Sequence, residues 1–431
     1  PQDPSPYFAS SRLFRNPLYI RVEEVPGAAE AAAQVERAAR AGRRLNGERL
    51  IDHSRVHELK LKALRAVFRA APQAPAFDLY ARAQGSALED YATFCALSEV
   101  HGRPWRRWPE ELRHPRSPAV ASFRRARRQA VRFHQWLQWL LDVQLSAAGA
   151  EIPLMTDLAI GVHPDGADAW VFQDVMAQRF SVGAPPDPFQ AAGQDWGLPP
   201  FDPWRLRAAG FKPFIETVRS AFAHAGALRI DHVMGLFRLY WIPVGEGPEA
   251  GVYVRYPHRE LLDVLALESS RAGAYVVGED LGTVEDGVRR ELLARRVLSY
   301  RLLWFEDRPP SSYPRQAMAA VTTHDLPTVA GVWGGSDSDP ALRERLLRVT
   351  GLDPGASADE AVLAAYKALS RAPSRLLSAT LEDLLAVPER PNKPGTVDEW
   401  PNWRLALPSP LEDVVADPRP PRVARALRER R

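Results

Sequence analysis

The chain has 431 residues, of which 45% are hydrophobic and 25% are charged, the composition of an ordinary globular protein. Its 56 basic and 53 acidic residues leave a net charge of only +3, so we expect no nucleic-acid partner. No run of about 18 apolar residues occurs, which argues against a membrane span. The single cysteine, Cys95, excludes an internal disulfide and favours a reducing, cytoplasmic compartment.

The first third of the chain is irregular and then predominantly helical. Residues 1–27 are rich in proline and end in the strand-like segment LYIRV, and residues 28–42 are rich in alanine and helical. From about residue 52 onwards, apolar side chains recur at the spacing of a helix face. The stripe in FHQWLQWLLDVQL is typical of core packing. We therefore expect a helical subdomain over residues 51–148.

A different pattern begins near residue 150, where short apolar runs alternate with helical segments. Six runs are strand candidates: PLMTDLAIGV, ALRIDHVMGL, AYVVGEDL, VLSYRLLWF, AAVTTHDL and RLLSATLEDLL. Strands that alternate with helices predict a parallel sheet with right-handed crossovers, and this number of strands suits an α/β fold of the (β/α)8 barrel type. No GxGxxG follows a strand, which argues against a dinucleotide-binding fold. The stretch from about 163 to 205 is predicted to be a long, functional loop.

Three of the strand candidates end in an acidic residue, namely Asp231, Glu279 and Asp325. In a (β/α)8 barrel the C-terminal ends of the strands converge on one face, where active sites lie. Three carboxylates that are far apart in sequence could therefore meet around one substrate. Crowded carboxylates also shift each other's pKa values, so that one is protonated while another stays ionised.

This arrangement is what a retaining glycosidase-type reaction requires, with two carboxyl groups about 5–5.5 Å apart. Arg229 lies two residues before Asp231 and, on a strand, points to the same side. We expect Arg229 to keep Asp231 ionised as the nucleophile. Glu279 has no adjacent cation and suits the general acid that later acts as the base.

Other interpretations of the same residues stay open at this point. An acidic residue after a strand is often a helix cap, and Glu279 with Asp280 could open the following helix. His324 and Asp325 could form a structural hydrogen bond. A metallohydrolase site could use nearby acids and three histidines, His224, His232 and His324. No HxH, HExxH or cysteine ligand supports such a site. No GxSxG motif indicates a serine hydrolase.

At these residues the chain resembles the 4-α-glucanotransferases, the amylomaltase or disproportionating-enzyme family of glycoside hydrolases. The likeness starts at SPYFASSRLFRNPLYI and continues in the family's order over nearly the whole chain. Further matching segments are GRPWRRWPEELR, FHQWLQWLLDVQL, GADAW, GAPPDPFQAAGQDWG, LRIDHVMGLFRLYWIP, VVGEDLGTV, TTHDLPTVAGVW and NKPGTVDEWPNWR. This many segments in order make the resemblance specific.

The resemblance implies a (β/α)8 barrel with inserted helical and loop subdomains and no cofactor or metal. It implies cleavage of an α-1,4-glucan (maltooligosaccharide, starch or glycogen) and transfer of the glycosyl part to the 4-OH of another glucan. Asp231 would be the nucleophile, Glu279 the general acid/base and Asp325 the third carboxylate, which binds sugar hydroxyls. The implied substrate-binding residues are Arg229, His324, Asp187, Trp196 and His232. Three further aromatic residues could stack on sugar rings or pack in the core: Trp170, Trp204 and Tyr253.

Family members normally carry a strand, a helix and a second strand before the SPY segment, so we expect this chain, which begins at Pro1, to lack the first barrel strands. On this basis, residues 1–50 are predicted to form the barrel segment that follows the second strand, and residues 51–148 are predicted to form the helical insertion. Residues 149–431 are predicted to form the rest of the barrel, with the loop insertion at about 163–205. Two alternatives to the transferase remain: an α-glucan hydrolase of amylase type, and an inactive glucan-binding fragment.

Overall fold

The computed structural model describes residues 3–71, 74–186, 191–337 and 339–429. The chain divides into two compact units. Unit 1 comprises Pro1–Leu45 and Asp52–Tyr275, and unit 2 comprises Asn46–Ile51 and Val276–Arg431. Within the described ranges, no helix combines the length and the apolar character that crossing a membrane requires.

The first half of unit 1 is helical, as the sequence predicts. Its helices are α1 (Ala32–Leu45), α2 (His53–Ala70), α3 (Pro75–His101), α4 (Pro118–Ala126) and α5 (Arg128–Glu151). The predicted stripe on α5 is buried over Trp136, Trp139 and Leu140, which pack among residues of α2 and α3, but its last residue, Val143, is 41% exposed. Helix α3 is interrupted at Gly85, whose φ of 58° is open to glycine and costly for other residues. The division into a helical insertion over residues 51–148 stays a prediction.

The strand predicted for LYIRV is wrong. Pro17–Tyr19 and Val22–Glu24 form single 3-10 turns instead. Ile20 and Val22 are buried against the helical core, while the backbone of Arg21 is satisfied by a side chain: its N–H donates to Gln144 Oε1 and its carbonyl accepts from Gln144 Nε2, both at 2.9 Å. The Gln144 amide thus satisfies the two backbone groups of Arg21 that a neighbouring strand would otherwise bond.

Among its described residues, the second half of unit 1 contains six strands and four α-helices. They are β1 (Met155–Leu158), α6 (Ala167–Val171), β2 (Phe180–Ala184), β3 (Gln194–Leu198), α7 (Pro203–Ala208), α8 (Lys212–Phe222), β4 (Ala227–Ile230), β5 (Arg238–Pro243), β6 (Val252–Arg255) and α9 (His258–Ala272). Strands β1 and β4 pair in parallel. The other four form an antiparallel sheet in the order β3-β2-β5-β6. The stretch 163–205 is therefore not a plain loop, since α6, β2 and β3 lie within it and α7 begins near its end.

Unit 2 is built around a parallel sheet. Its elements are β7 (Tyr275–Gly278, whose first residue ends unit 1), α10 (Val288–Ala294), β8 (Ser299–Leu302), β9 (Ala317–Ala320), α11 (Val329–Gly334), α12 (Pro340–Thr350), α13 (Ala358–Leu369), β10 (Leu376–Ser378), α14 (Leu381–Leu384), α15 (Leu411–Ala416) and α16 (Arg419–Arg428). Strands β8, β9 and β10 pair in parallel, and β7 joins β8 through the parallel bridge between Val277 and Leu298. Their carboxyl ends therefore lie at one edge.

All six strand candidates of the sequence coincide with an observed strand, namely β1, β4, β7, β8, β9 and β10. Each observed strand is shorter than its apolar run. In ALRIDHVMGL, for example, β4 ends at Ile230, and His232 has a φ of 47°. This left-handed conformation is incompatible with a continuing strand.

Candidate active site

The polar residues around β4 form an ion-pair network in unit 1. Strands β1 and β4 pair so that Asp157 lies opposite Arg229. Arg229 Nη1 donates to Asp157 Oδ1 at 2.8 Å and Oδ2 at 2.7 Å, and Arg229 Nη2 donates to Asp231 Oδ1 at 3.1 Å. The contact between Arg229 and Asp231 that strand alternation predicts is present. Because Arg229 is only 9% exposed, both carboxylates act on it with little screening by solvent.

Tyr7, from the SPY segment, joins this network. Its hydroxyl donates to Asp157 Oδ2 and accepts from Arg229 Nη1 at 3.3 Å. Burial and the negative charge of Asp157 raise the pKa of Tyr7, so it stays a neutral donor. Burial opposes the charge of Arg229, but Asp157, Tyr7 and Asp231 outweigh it and raise its pKa. We call Tyr7, Asp157, Arg229 and Asp231 the arginine network.

We expect Arg229→Ala to destabilise the protein by roughly 2–3 kcal/mol, below the 3–5 kcal/mol typical of a fully buried pair, because Asp157 and Asp231 retain 36% and 22% side-chain exposure. The matched control is Arg40→Ala, which removes an exposed pair with Glu36 and should cost about 0–1 kcal/mol. Urea unfolding of the two variants measures the difference. An equal loss of unfolding free energy in Arg229→Ala and Arg40→Ala would show that the arginine network stabilises the fold no more than an exposed ion pair does.

His232 and Trp196 lie beside the network. Their rings meet edge to face, with centroids 5.4 Å apart and planes at 78°. Trp196, on β3, is oriented by a hydrogen bond from Nε1 to Gln194 Oε1 at 3.0 Å. Burial, assisted by the positive charge of Arg238, lowers the pKa of His232 to about 4. The imidazole next to the predicted nucleophile is therefore neutral at neutral pH.

This lowered pKa predicts how stability depends on pH. Between pH 6.5 and about 4, His232 binds a proton in the unfolded chain but not in the folded one, so stability falls as pH falls, by at most about 1.4 kcal/mol per pH unit from this group. Asparagine tolerates the left-handed backbone at position 232. We therefore expect the His232→Asn variant to lose less stability than the wild type as the pH falls from 6.5 to about 4. Unfolding titrations at pH 7, 6, 5 and 4.5 measure it, and parallel curves would contradict it.

A cavity of about 70 Å³ opens next to Asp231 and His232. Its walls are mostly apolar and come from the residues after β1, from Pro199–Phe201 and from α8 and α9. The polar groups among the lining residues include Arg12 and Tyr256. Apolar walls with a few polar groups are typical of small-molecule sites.

In unit 2, Glu279 directly follows β7, and its Oε1 accepts a hydrogen bond from the backbone N–H of Leu281 at 2.7 Å. The adjacent Asp280 has a different environment: it is fully buried, 3.0 Å from Arg289 Nε, and accepts from Tyr300 N at 2.8 Å. Neither acid opens the next helix, because α10 begins only at Val288. Asp280 is thus a structural carboxylate, whereas Glu279 stands at the strand end.

His324 and Asp325 follow β9 at the same edge of the sheet. Asp325 Oδ1 accepts from Asn392 Nδ2 at 2.7 Å, and its carbonyl accepts from Arg390 Nη1 at 2.9 Å. His324 Nε2 lies 3.3 Å from Asp325 Oδ2, and its ring lies 5.1 Å from that of Trp403. The contact between His324 and Asp325 that one of the open alternatives described is present, and the segment NKPGTVDEWPNWR contacts both residues through Asn392 and Trp403.

The structure thus places Arg229, Asp231, His232 and Trp196 around the end of β4 in unit 1. It places Glu279, His324 and Asp325 at the carboxyl edge of the sheet in unit 2. Asp187 lies outside the described residues. Trp170 is a core residue, fully buried against Trp108, whereas Trp204 and Tyr253 are exposed.

Sequence reasoning missed four residues that hold the predicted ones: Tyr7, Asp157, Arg390 and Asn392. Asp157 had a detectable signal, because it is a charged residue inside the apolar run PLMTDLAIGV, just as Arg229 is in ALRIDHVMGL. Tyr7 lies in the SPY segment, and Asn392 opens the NKPGT segment. Their partners could not be derived from spacing, since each pair is separated by tens to hundreds of residues.

In the described ranges, no three His, Cys, Asp or Glu side chains group as metal ligands would. His224, one of the histidines considered for a metallohydrolase, instead pairs with Asp142 on α5, with 2.9 Å between Nε2 and Oδ1. The chemistry that these residues offer is that of carboxylates, an arginine and aromatic rings.

Comparison with known proteins agrees with this chemistry. The family model described as 4-alpha-glucanotransferase matches residues 1–411. The chain belongs to the 4-alpha-glucanotransferase family. The 4-alpha-glucanotransferase of Mycobacterium tuberculosis is 44% identical to it over 483 aligned positions, which cover 99% of this chain and 67% of that protein.

Solved structures of the 4-alpha-glucanotransferase family give the same result. The crystal structure of amylomaltase from Corynebacterium glutamicum matches with a TM-score of 0.86 and 33% identity, over 99% of this chain and 67% of that one. Amylomaltase from Streptococcus agalactiae, solved in complex with acarbose, matches with a TM-score of 0.81 at 19% identity, over 98% of this chain and 88% of that one. These matches confirm the predicted (β/α)8 barrel fold class with insertions.

Proposed function

We propose that this chain is a retaining 4-α-glucanotransferase that acts on α-1,4-glucans through Asp231, Glu279 and Asp325. Membership of the 4-alpha-glucanotransferase family supports the reaction. The observation that carries the assignment of the nucleophile is the 3.1 Å ion pair between Arg229 and Asp231. A buried guanidinium at this distance favours the ionised carboxylate that nucleophilic attack requires.

In the first step, an Asp231 carboxylate oxygen attacks the anomeric carbon of the donor glucan, and the glycosidic C1–O bond breaks. Glu279, in its protonated form, gives its proton to the leaving 4-oxygen. The products are a glycosyl ester on Asp231 and a shortened glucan with a free 4-OH. His232, being neutral, adds no positive charge that would compete with Arg229 for Asp231.

In the second step, the 4-OH of an acceptor glucan attacks the same anomeric carbon from the opposite face to Asp231. Glu279 now takes the proton from the acceptor hydroxyl, and the ester bond to Asp231 breaks. Two inversions restore the α configuration. We assign to Asp325 and His324 contacts with the donor sugar, since the hydrogen bonds from Asn392 and Arg390 orient Asp325, and to Trp196 stacking against a glucose ring.

Asp187 is proposed as a further substrate contact from the family motif alone. A cytoplasmic place of action, which the single cysteine favours, is proposed on the same footing. No cofactor enters either step, because every proton and bond in the two steps is accounted for by the glucan and the two carboxyl groups.

Incubation of the purified protein with maltotriose, followed by chromatography of the products, tests the proposal. Transfer gives glucose together with a ladder of longer oligosaccharides at a constant number of reducing ends. The alternative of an amylase-type hydrolase predicts a rising number of reducing ends and no longer products. The inactive glucan-binding alternative predicts a folded protein, by circular dichroism, that binds acarbose without turnover.

A further inference from the structure

Asp383 is a fully buried acidic residue of unit 2 that the proposed mechanism does not use. It lies on α14, and burial raises its pKa to about 6. A buried carboxylate is costly unless hydrogen bonds compensate it. The Asp383 carboxylate is hydrogen-bonded at both oxygens: Oδ1 accepts from the backbone N–H of Val329 and Oδ2 accepts from the hydroxyl of Tyr366, both at 2.8 Å.

The first of these bonds leads directly to the predicted site. Val329 is the first residue of α11 and follows Asp325 by four positions. The intervening backbone is held from outside as well: Pro327 O accepts from Trp304 Nε1 at 2.9 Å, and Thr328 Oγ1 donates to Val387 O at 2.7 Å. The last residue of the segment from Asp325 to Val329 is therefore held in place by its hydrogen bond to Asp383.

The chain that follows Asp383 also leads to Asp325. It begins with a turn in which Ala386 N donates to Asp383 O at 2.9 Å. Residues 386–392, which we call the return segment, then pack against Thr328 and supply the two residues that hold Asp325, Arg390 and Asn392. The packing is close, because a side chain at Gly331 would come within 2.4 Å of Pro388 O. Asp383 thus joins both segments that set the position of Asp325.

We propose that Asp383 is a positioning residue for Asp325: it holds the start of α11 and the start of the return segment together, so that Asn392 meets the Asp325 carboxylate in one geometry. This inference rests on the proposed function, in which Asp325 binds the donor sugar. Asparagine at position 383 would keep one acceptor oxygen for Val329, but its amino group could only donate to the Tyr366 hydroxyl, so the bond would reverse its direction and the hydroxyl proton would lose its acceptor.

A double-mutant cycle tests this role. We expect Asp383→Asn to weaken acarbose binding about tenfold and to lower kcat/KM for maltotriose by a similar factor, the size of one well-placed hydrogen bond. In an Asp325→Asn background the same substitution should change acarbose binding less than twofold, because residues that act through each other are not additive. Binding is measured by calorimetry well below the thermal midpoint of each variant.

A tyrosine pair gives a matched control if Asp383→Asn unfolds. Tyr366→Phe removes the bond to Asp383 Oδ2, together with the longer 3.4 Å bond that the Tyr366 hydroxyl accepts from Thr380 N, and should show the same loss of additivity at smaller size. Tyr313→Phe removes a hydroxyl from the same core cluster, and that hydroxyl has no hydrogen-bond partner among the described residues, so we expect wild-type binding.

Two outcomes would overturn the inference: wild-type acarbose affinity in folded Asp383→Asn, or an equal loss in both backgrounds, which would indicate a general effect on the fold. A wild-type protein that binds acarbose but does not convert maltotriose would instead count against the proposed function. Acarbose binding in the double-mutant cycle does not require turnover. It therefore measures the coupling between Asp383 and Asp325 whether or not the wild-type protein converts maltotriose.

Discussion

Asp231→Ala should lower the rate of glucan transfer by at least about 10⁴-fold, a loss comparable with that of other catalytic nucleophiles. The reason is that no other atom forms the covalent intermediate in the proposed reaction. Arg229 would remain, still paired with Asp157, so the fold should persist. We therefore expect an inactive protein with a nearly unchanged circular dichroism spectrum.

External azide with α-maltosyl fluoride as donor makes this prediction specific to the role of Asp231. If Asp231 is the nucleophile, azide enters from its empty side and the variant forms the β-glycosyl azide, with inverted configuration. The matched control is Asp353→Ala, at an exposed aspartate that accepts from Gly355 N at 2.7 Å, and it should keep wild-type activity. Formation of the α-glycosyl azide by Asp231→Ala would contradict the assignment.

Glu279→Gln should lower transfer from maltotriose by about 10²–10⁴-fold, the usual contribution of a general acid–base catalyst. Glutamine keeps the shape of the side chain, and its amide oxygen can still accept the hydrogen bond from Leu281 N. It cannot donate a proton to a leaving 4-oxygen. The loss should therefore depend on how much the leaving group needs protonation.

The comparison of two donors measures this dependence. Fluoride leaves with little help, so the first step from α-maltosyl fluoride should be far less impaired than the first step from maltotriose. Single-turnover kinetics with both donors resolve that step. Glu412→Gln, on an exposed face of α15 in the same unit, is the control. An equal loss with both donors would show that Glu279 acts in binding or folding and not as the acid.

The contact between Arg229 and Asp231 could be predicted from the sequence because the two residues are close together in the chain. Arg229 and Asp231 are two residues apart, and strand alternation alone puts their side chains on one side, as the 3.1 Å contact shows. By contrast, Asp157 meets Arg229 only through the parallel register of β1 and β4. Tyr7 arrives from a segment more than two hundred residues away, and no periodicity encodes that approach.

The two acids after β7 show the same limit. Glu279 and Asp280 are adjacent and chemically similar, so the pattern could not tell which of them serves the fold. Packing decides it: Asp280 is buried under Arg289 and the backbone of Tyr300, and Glu279 is left at the strand end. The missing neighbouring cation and the family resemblance both favoured Glu279 as the acid, and the tertiary contacts add that Asp280 is engaged by Arg289 and Tyr300.

Taken by itself, the sequence determined the alternation of strands and helices, six of the strands, including the three that precede Asp231, Glu279 and Asp325, and the resemblance to the 4-alpha-glucanotransferase family. The alternation and the strands follow from hydrophobic periodicity, whereas the family follows from the matching segments in order along the chain and from the family model. Only the tertiary structure decided that LYIRV is not a strand, that strands interrupt the stretch 163–205, that Asp157 pairs with Arg229, and that Asn392 donates to Asp325. The physical reason is that a buried charge takes whichever partner packing brings to it, and that partner need not be near in sequence.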